Sequence, residues 1–335
     1  MSAPVPAVLK LSHLRVELAG STPTVVALDD VCLEIAPGEI LGVVGESGAG
    51  KSLTGLAVTG LLDPPCRITG GRIELNGQPL SGLPERRLQA IRGRDVGTVF
   101  QDPLTALDPL FRIGEQLVET IRVHTPLGRA AARERAVDLL AQVELPSPAA
   151  LMDAYPHQLS GGMRQRVVIA LALCADPRLL IADEPTTALD VSIQAQIMAL
   201  LTKLCHERRL GVMLITHDLG VVGEIADRVA VMYAGRVVET GPVAQVLTAP
   251  MHPYTRGLMG AVPQLTGSPQ RLAQIRGAMP SLKALPPGCA FEARCPQALA
   301  RCRAERPPQT MAAADRTLRC WAYEGAQAPY DGSRP

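Results

Sequence analysis

Aromatic residues are scarce in this 335-residue chain: three Phe, five Tyr and one Trp, 3% of the whole. Any core must therefore be aliphatic, drawn from the 47% of residues that are hydrophobic. Lysine is nearly absent too. Lys10, Lys51, Lys203 and Lys283 are the only lysines among 33 basic residues, so arginine carries almost all the positive charge and each lysine stands out. A net charge of +1, with acids and bases interspersed, leaves no electrostatic footprint for a nucleic-acid partner. No apolar run approaches the ~20 residues needed to span a bilayer. Residues 1–18 lack the basic-then-apolar order of a secretory signal. The expectation is a soluble, cytosolic chain whose eight cysteines are not disulfides.

What is present alternates. Apolar, β-branched stretches at 27–35, 40–44, 71–75, 96–100, 179–182 and 212–216 read as strands, with a two-stranded segment near 230–239. Helical periodicity covers 51–62, 113–123, 129–143, 163–175 and 192–207. Short buried strands alternating with helices predict an α/β fold on a parallel sheet covered on both faces. A helical block at about 104–176 interrupts that alternation as an inserted subdomain. After 249 prolines and cysteines thicken and periodicity fades, which divides the chain into 1–248 and a C-terminal extension, 249–335.

Gly45-Glu46-Ser47-Gly48-Ala49-Gly50-Lys51-Ser52 follows a predicted strand and opens a helix. Glycines there let consecutive N–H groups turn onto phosphates, and the helix N-terminus adds positive potential. Lys51 would reach the β- and γ-phosphates of ATP and Ser52 would hold Mg²⁺. Chance would produce the pattern roughly 0.003 times in such a chain. Leu179-Leu180-Ile181-Ala182-Asp183-Glu184 is a buried strand that delivers two acids to the carboxyl edge of the sheet. Asp183 is a candidate Mg²⁺ ligand, and Glu184 a candidate general base for the attacking water. By itself such a strand could equally end in ordinary solvated acids; the phosphate loop beside it favours the catalytic reading.

With these motifs the chain resembles the ATP-binding-cassette (ABC) ATPases, P-loop NTPases with a RecA-like sheet and an antiparallel β subdomain. Leu159-Ser160-Gly161-Gly162-Met163-Arg164-Gln165 is similar to that family's signature loop. The resemblance implies that Ser160, Gly161, Gly162 and Gln165 act on ATP bound by a partner subunit. It also implies a Mg²⁺- and water-sensing role for Gln101, a γ-phosphate-polarising role for His217, and a crossing loop at Asp190. One departure stands out. The family stacks adenine on an aromatic residue well before the phosphate loop, yet the first aromatic here is Phe100; Leu18 or Val25 lies where the ring would be, and His13 is the only other flat side chain upstream. Base discrimination is therefore expected to be weak.

Tyr155-Pro156-His157-Gln158 and His252-Pro253-Tyr254-Thr255 narrow the likeness to the ATPase subunits of dipeptide and oligopeptide importers. That implies a second, unlike ATPase, two membrane permease subunits, an extracytoplasmic peptide-binding protein, and a place at the cytoplasmic face of the membrane. Cys289-x5-Cys295-x6-Cys302-x17-Cys320 suits a [4Fe–4S] cluster or a structural zinc, with unliganded buried cysteines a third reading; the absence of close Cys-x2-Cys pairs favours the cluster. Its expected role is structural or docking, donating nothing to the phosphate pocket. Nickel, glutathione or haem cargo is an alternative to peptide. A translation or repair ATPase is disfavoured by the single cassette, and an exporter motor by the extension.

Overall fold

The computed structural model describes residues 6–187, 189–261, 274–313 and 315–323. Ala188 of the crossing loop and the stretches 262–273 and 324–335 of the extension lie outside them. Twelve strands are described: β1 (Leu9–Leu18), β2 (Val25–Ile35), β3 (Ile40–Val44), β4 (Cys66–Leu75), β5 (Gln78–Pro79), β6 (Val96–Val99), β7 (Leu179–Asp183), β8 (Gly211–Ile215), β9 (Arg228–Tyr233), β10 (Arg236–Pro242), β11 (Thr310–Ala313) and β12 (Arg316–Leu318). Eight of them form one sheet in the order β11-β12-β10-β9-β3-β8-β7-β6. From β9 to β6 the pairing is parallel, and all five residues of β3 and of β8 are buried. Continuous apolar runs of this kind are what a sheet covered on both faces requires.

An antiparallel sheet, β2-β1-β4-β5, lies over the helix Lys51–Thr59, and both share one core that includes Leu14, Val16, Leu28, Val58 and Ile181. The helix stops where Gly60 enters the left-handed region at φ 66, three residues short of the sequence reading. On the other side, the helices Ile113–His124, Arg129–Gln142 and Gly161–Ala172 bury Leu117, Ile121, Ala132, Ala136 and Leu139 against one another. Leu117 and Ile121 on the first of these helices, and Ala132, Ala136 and Leu139 on the second, recur at i, i+3 or i, i+4 and so line one stripe of each.

The extension contributes β11 and β12, which the fading periodicity does not reveal. β12 pairs antiparallel with β10 through Glu239↔Leu318 and Thr240↔Thr317. A fully buried carboxylate fixes this join. Glu239 is 0% exposed and accepts from the backbone N–H of Met251 at 2.9 Å and of His252 at 3.0 Å, and from the Arg316 guanidinium of β12. The scarce aromatics gather at the same seam. Tyr233, Tyr254 and Phe291 meet with ring centroids 4.6 to 5.4 Å apart.

Removing one partner from a buried pair strands the other charge, at a cost of about 3–5 kcal/mol. Glu239→Ala is therefore expected to lower the unfolding free energy by about that amount and to open the segment after 249 to protease. A change below about 1 kcal/mol in a denaturant titration, the range of an exposed pair, would show that this pair does not anchor the extension.

Candidate active site

The loop between β3 and the helix Lys51–Thr59 is shaped by glycine. Gly45 has φ +154, and a Cβ there would lie 2.3 Å from Met232 O; Gly50 has φ +104, with Leu28 Cδ2 at 2.7 Å from a Cβ. Neither position admits a side chain. Ser47, Gly48, Gly50, Lys51 and Ser52 line an open cleft of about 720 Å³, and Gln101, Glu184 and His217 face it from the sheet side. Gly45 and the buried Ala49 shape the loop from behind without lining the cleft. Lys51 Nζ donates to Gly45 O at 2.8 Å and Glu46 O at 3.1 Å. Burial pulls its pKa down, and the nearby Glu184 and Asp183 carboxylates partly offset this.

Ser52 Oγ donates to Asp183 Oδ1 at 3.0 Å, so the hydroxyl and the carboxylate can reach one cation. Burial raises the Asp183 pKa against that hydrogen bond. One residue on, the chain turns. Glu184 has φ 47, a conformation rare for a side-chain-bearing residue and often found at functional positions. Three groups converge on its carboxylate: Gln101 Nε2 donates to Oε2 at 3.0 Å, Thr187 Oγ1 to Oε2 at 2.9 Å, and His217 Nδ1 lies 3.1 Å from Oε1. An ionised carboxylate only accepts, so the imidazole donates. Burial pushes the Glu184 pKa up, but the hydrogen bonds from His217 and Thr187 outweigh it and hold the group below the usual carboxylate range. Glu184 thus presents an ionised, oriented carboxylate to the cleft.

The signature-loop residues stand apart from this cleft. Ser160 caps the helix Gly161–Ala172 by accepting from Met163 N, and Ser160 and Gly161 are exposed. Gly162 lets that helix close on the helix Val191–Arg208, since a Cβ would meet Ile193 Cγ2 at 2.6 Å. Gln165, by contrast, is 1% exposed, on the inward face of its helix. Asp190 caps the helix Val191–Arg208, its side chain accepting from Ile193 N.

The extension reaches the cleft, although its four cysteines do not line it. Leu282 lines the cleft, and the partly buried Met279 lies near Gly48, 3.2 Å from where a Cβ would stand. The Tyr254 hydroxyl accepts from Glu46 N at 2.8 Å, and Arg294 grips both oxygens of Glu46 at 2.9 and 3.0 Å. Tyr254 lies in the His252–Thr255 motif and Arg294 beside Cys295, yet nothing in their spacing signals a partner so far away in sequence. Cys289, Cys295, Cys302 and Cys320 line one small cavity with Phe291 and Trp321, and Cys289 N donates to Cys302 O at 2.7 Å. Burial pushes the thiols of Cys289 and Cys320 up to about 11 and about 12.

The geometry agrees with comparisons to known proteins. The family profile described as "ABC transporter" matches residues 28–187, and "Oligopeptide/dipeptide transporter, C-terminal region" matches 238–302. The dipeptide transport ATP-binding protein DppD of Escherichia coli (strain K12) is 46% identical over 314 residues, 94% of this chain and 96% of that one. The oligopeptide transport ATP-binding protein AppD of Bacillus subtilis (strain 168) is 44% identical, covering 94% of this chain and 97% of its own length. Among solved structures, a dimeric ATP-binding cassette in a post-hydrolysis state with ADP and phosphate matches with a TM-score of 0.62 at 30% identity, covering 70% of this chain and 98% of that one. CbiO1 of Clostridium perfringens, part of an ABC transporter complex, matches with a TM-score of 0.63 at 29% identity, over 72% of this chain and 91% of its own. Matched almost end to end by these relatives, the chain belongs to the ABC transporter ATPases, in the branch of the dipeptide and oligopeptide transport ATP-binding proteins.

Proposed function

We propose that this chain is the ATP-hydrolysing motor of an importer for dipeptides or oligopeptides, working at the cytoplasmic face of the membrane. The observation that carries the chemistry is the convergence of Gln101, Thr187 and His217 on Glu184, in a cleft shared with Lys51. Lys51 and the loop amides hold the β- and γ-phosphates. Ser52, Asp183 and Gln101 offer only oxygen ligands, the donor set that suits Mg²⁺, which would neutralise charge on the phosphates. Glu184 takes a proton from water as its oxygen attacks the γ-phosphorus; the bond from that phosphorus to the bridging oxygen breaks, and ADP leaves with the electron pair. His217 orients Glu184 through Nδ1–H; as the imidazolium, with both ring nitrogens protonated, it also donates Nε2–H to the γ-phosphate.

The cargo reading rests on relatives named for dipeptide and oligopeptide transport. Among the described residues no helix is long and apolar enough to cross a membrane, which fits a peripheral subunit that drives two membrane permease subunits fed by an external binding protein. Ser160 and Gly161 are exposed and stand outside this chain's own cleft. That supports their closing, with Gly162, over a nucleotide held by a second, unlike ATPase subunit.

The four cysteines suit a metal centre. Cys289, Cys295, Cys302 and Cys320 line one cavity, and the lack of close Cys-x2-Cys pairs in their spacing favours a [4Fe–4S] cluster over zinc. Bound there, it would cross-link a proline-rich segment that has little core of its own.

Glu184→Gln in the assembled complex is expected to retain ATP binding while turnover falls ~10²–10⁴-fold; near-normal hydrolysis would mean that another group activates the water. No Phe, Tyr or Trp among the described residues lines the cleft, where Ala27 and Leu282 supply aliphatic walls. The chain should therefore prefer ATP over GTP by less than about tenfold, and a larger preference in a binding titration would place a ring from elsewhere on the base. Protein purified without oxygen should be brown and hold about four iron atoms per chain, and Ser in place of any one of the four cysteines should remove the colour. Stoichiometric zinc without iron would refute the cluster.

A further inference from the structure

The geometry points to Arg294 as a positioning residue for the phosphate loop, through which the C-terminal extension sets how tightly this chain holds ATP. The inference rests on the reading of residues 45–52 as the loop that carries the phosphates of ATP. Glu46 lies inside that loop. A bare carboxylate there would oppose a ligand with several negative charges. Arg294 faces it with the planar fork that suits a carboxylate, both guanidinium nitrogens in contact at 2.9 and 3.0 Å.

This is not an ordinary surface pair, for which a contribution near zero is common. The Arg294 side chain is 7% exposed, and its position is fixed independently of Glu46. It donates to Arg276 O at 2.9 Å, Gly277 O at 3.3 Å and the Tyr233 hydroxyl at 3.3 Å, and it lies over the rings of Tyr233 and Phe291. A guanidinium already held costs little further entropy when it pairs. The Tyr254 hydroxyl takes the Glu46 N–H at 2.8 Å, so the same seam holds the loop by backbone and by side chain.

Arg294 is also the residue before Cys295. Whatever constrains that cysteine constrains the arginine, so disorder in the cysteine-lined segment would release Glu46 and leave an unpaired negative charge in the loop. Arg319 repeats the arrangement one strand away. It precedes Cys320 and reaches the cassette at Asp30, donating to the backbone O at 2.9 Å and pairing with the carboxylate at 2.8 Å.

ATP titrations of the full chain test this with Arg294→Ala, the double variant Glu46→Gln/Arg294→Ala, and Lys51→Ala. Arg294→Ala is expected to weaken ATP about tenfold while leaving adenosine binding unchanged, because the loss acts on phosphate charge. The double variant should regain most of the affinity, since it removes the exposed carboxylate; a purely packing role for Arg294 would give no such rescue. Arg294→Lys, which keeps the charge without the fork, should fall between and carries the comparison if the alanine variant melts early. Wild-type ATP affinity in Arg294→Ala, or a double variant as weak as the single one, would overturn the proposal. Unchanged ATP affinity in Lys51→Ala would instead remove the phosphate-loop reading itself, and the proposal with it.

Discussion

Parallel hydrogen bonding among β3, β6, β7 and β8 is the constraint on which the site depends. Strands paired in that sense end side by side, so residues far apart in sequence arrive at one edge: the phosphate loop after β3, Gln101 after β6, Asp183 and Glu184 at β7, His217 after β8. Because both faces of the sheet are covered, these ends are the places where polar side chains can leave the apolar interior and still be held by it. The hydrogen bonds around Glu184 exist only because this register brings Gln101 and His217 to its two oxygens.

The parts of this arrangement legible in the sequence are those that obey local rules. β3 is found over the residues its apolar run marks out, and the long helices agree to within a few residues, since period 2 or 3.6 and a bounding glycine or cap are written into consecutive positions. What sequence could not show is long-range. β12 has three residues, too few to display any period, and its place is set by a pair between Arg316 and Glu239. Gln165 carries a polar side chain on a buried helix face, and its Nε2 has no hydrogen-bond partner among the described residues. Tyr254 and Arg294 act on Glu46 across some two hundred residues, where neither propensity nor spacing carries information.

The bias toward arginine also finds a physical reason. A guanidinium can satisfy several acceptors in one plane and is less strongly hydrated than an ammonium, so it tolerates burial better. Arg294, Arg316 and Arg319 each reach more than one acceptor at 7% side-chain exposure or less. All three belong to the extension and all three end on the cassette. The arginines there act as rivets, while Lys51 is the lysine that lines the cleft.

The scarcity of aromatics gives the molecule a built-in optical asymmetry. Its single tryptophan, Trp321, follows Cys320 in the chain, stacks under the Arg301 guanidinium at 3.6 Å and donates its indole N–H to Glu305 O. Every photon of indole emission therefore originates in the extension, beside the cysteine-lined cavity, and none from the phosphate cleft or the helical bundle. Indole fluorescence of the native chain is a reporter on that one corner without any label, and a coloured centre among the four cysteines would quench it at contact range.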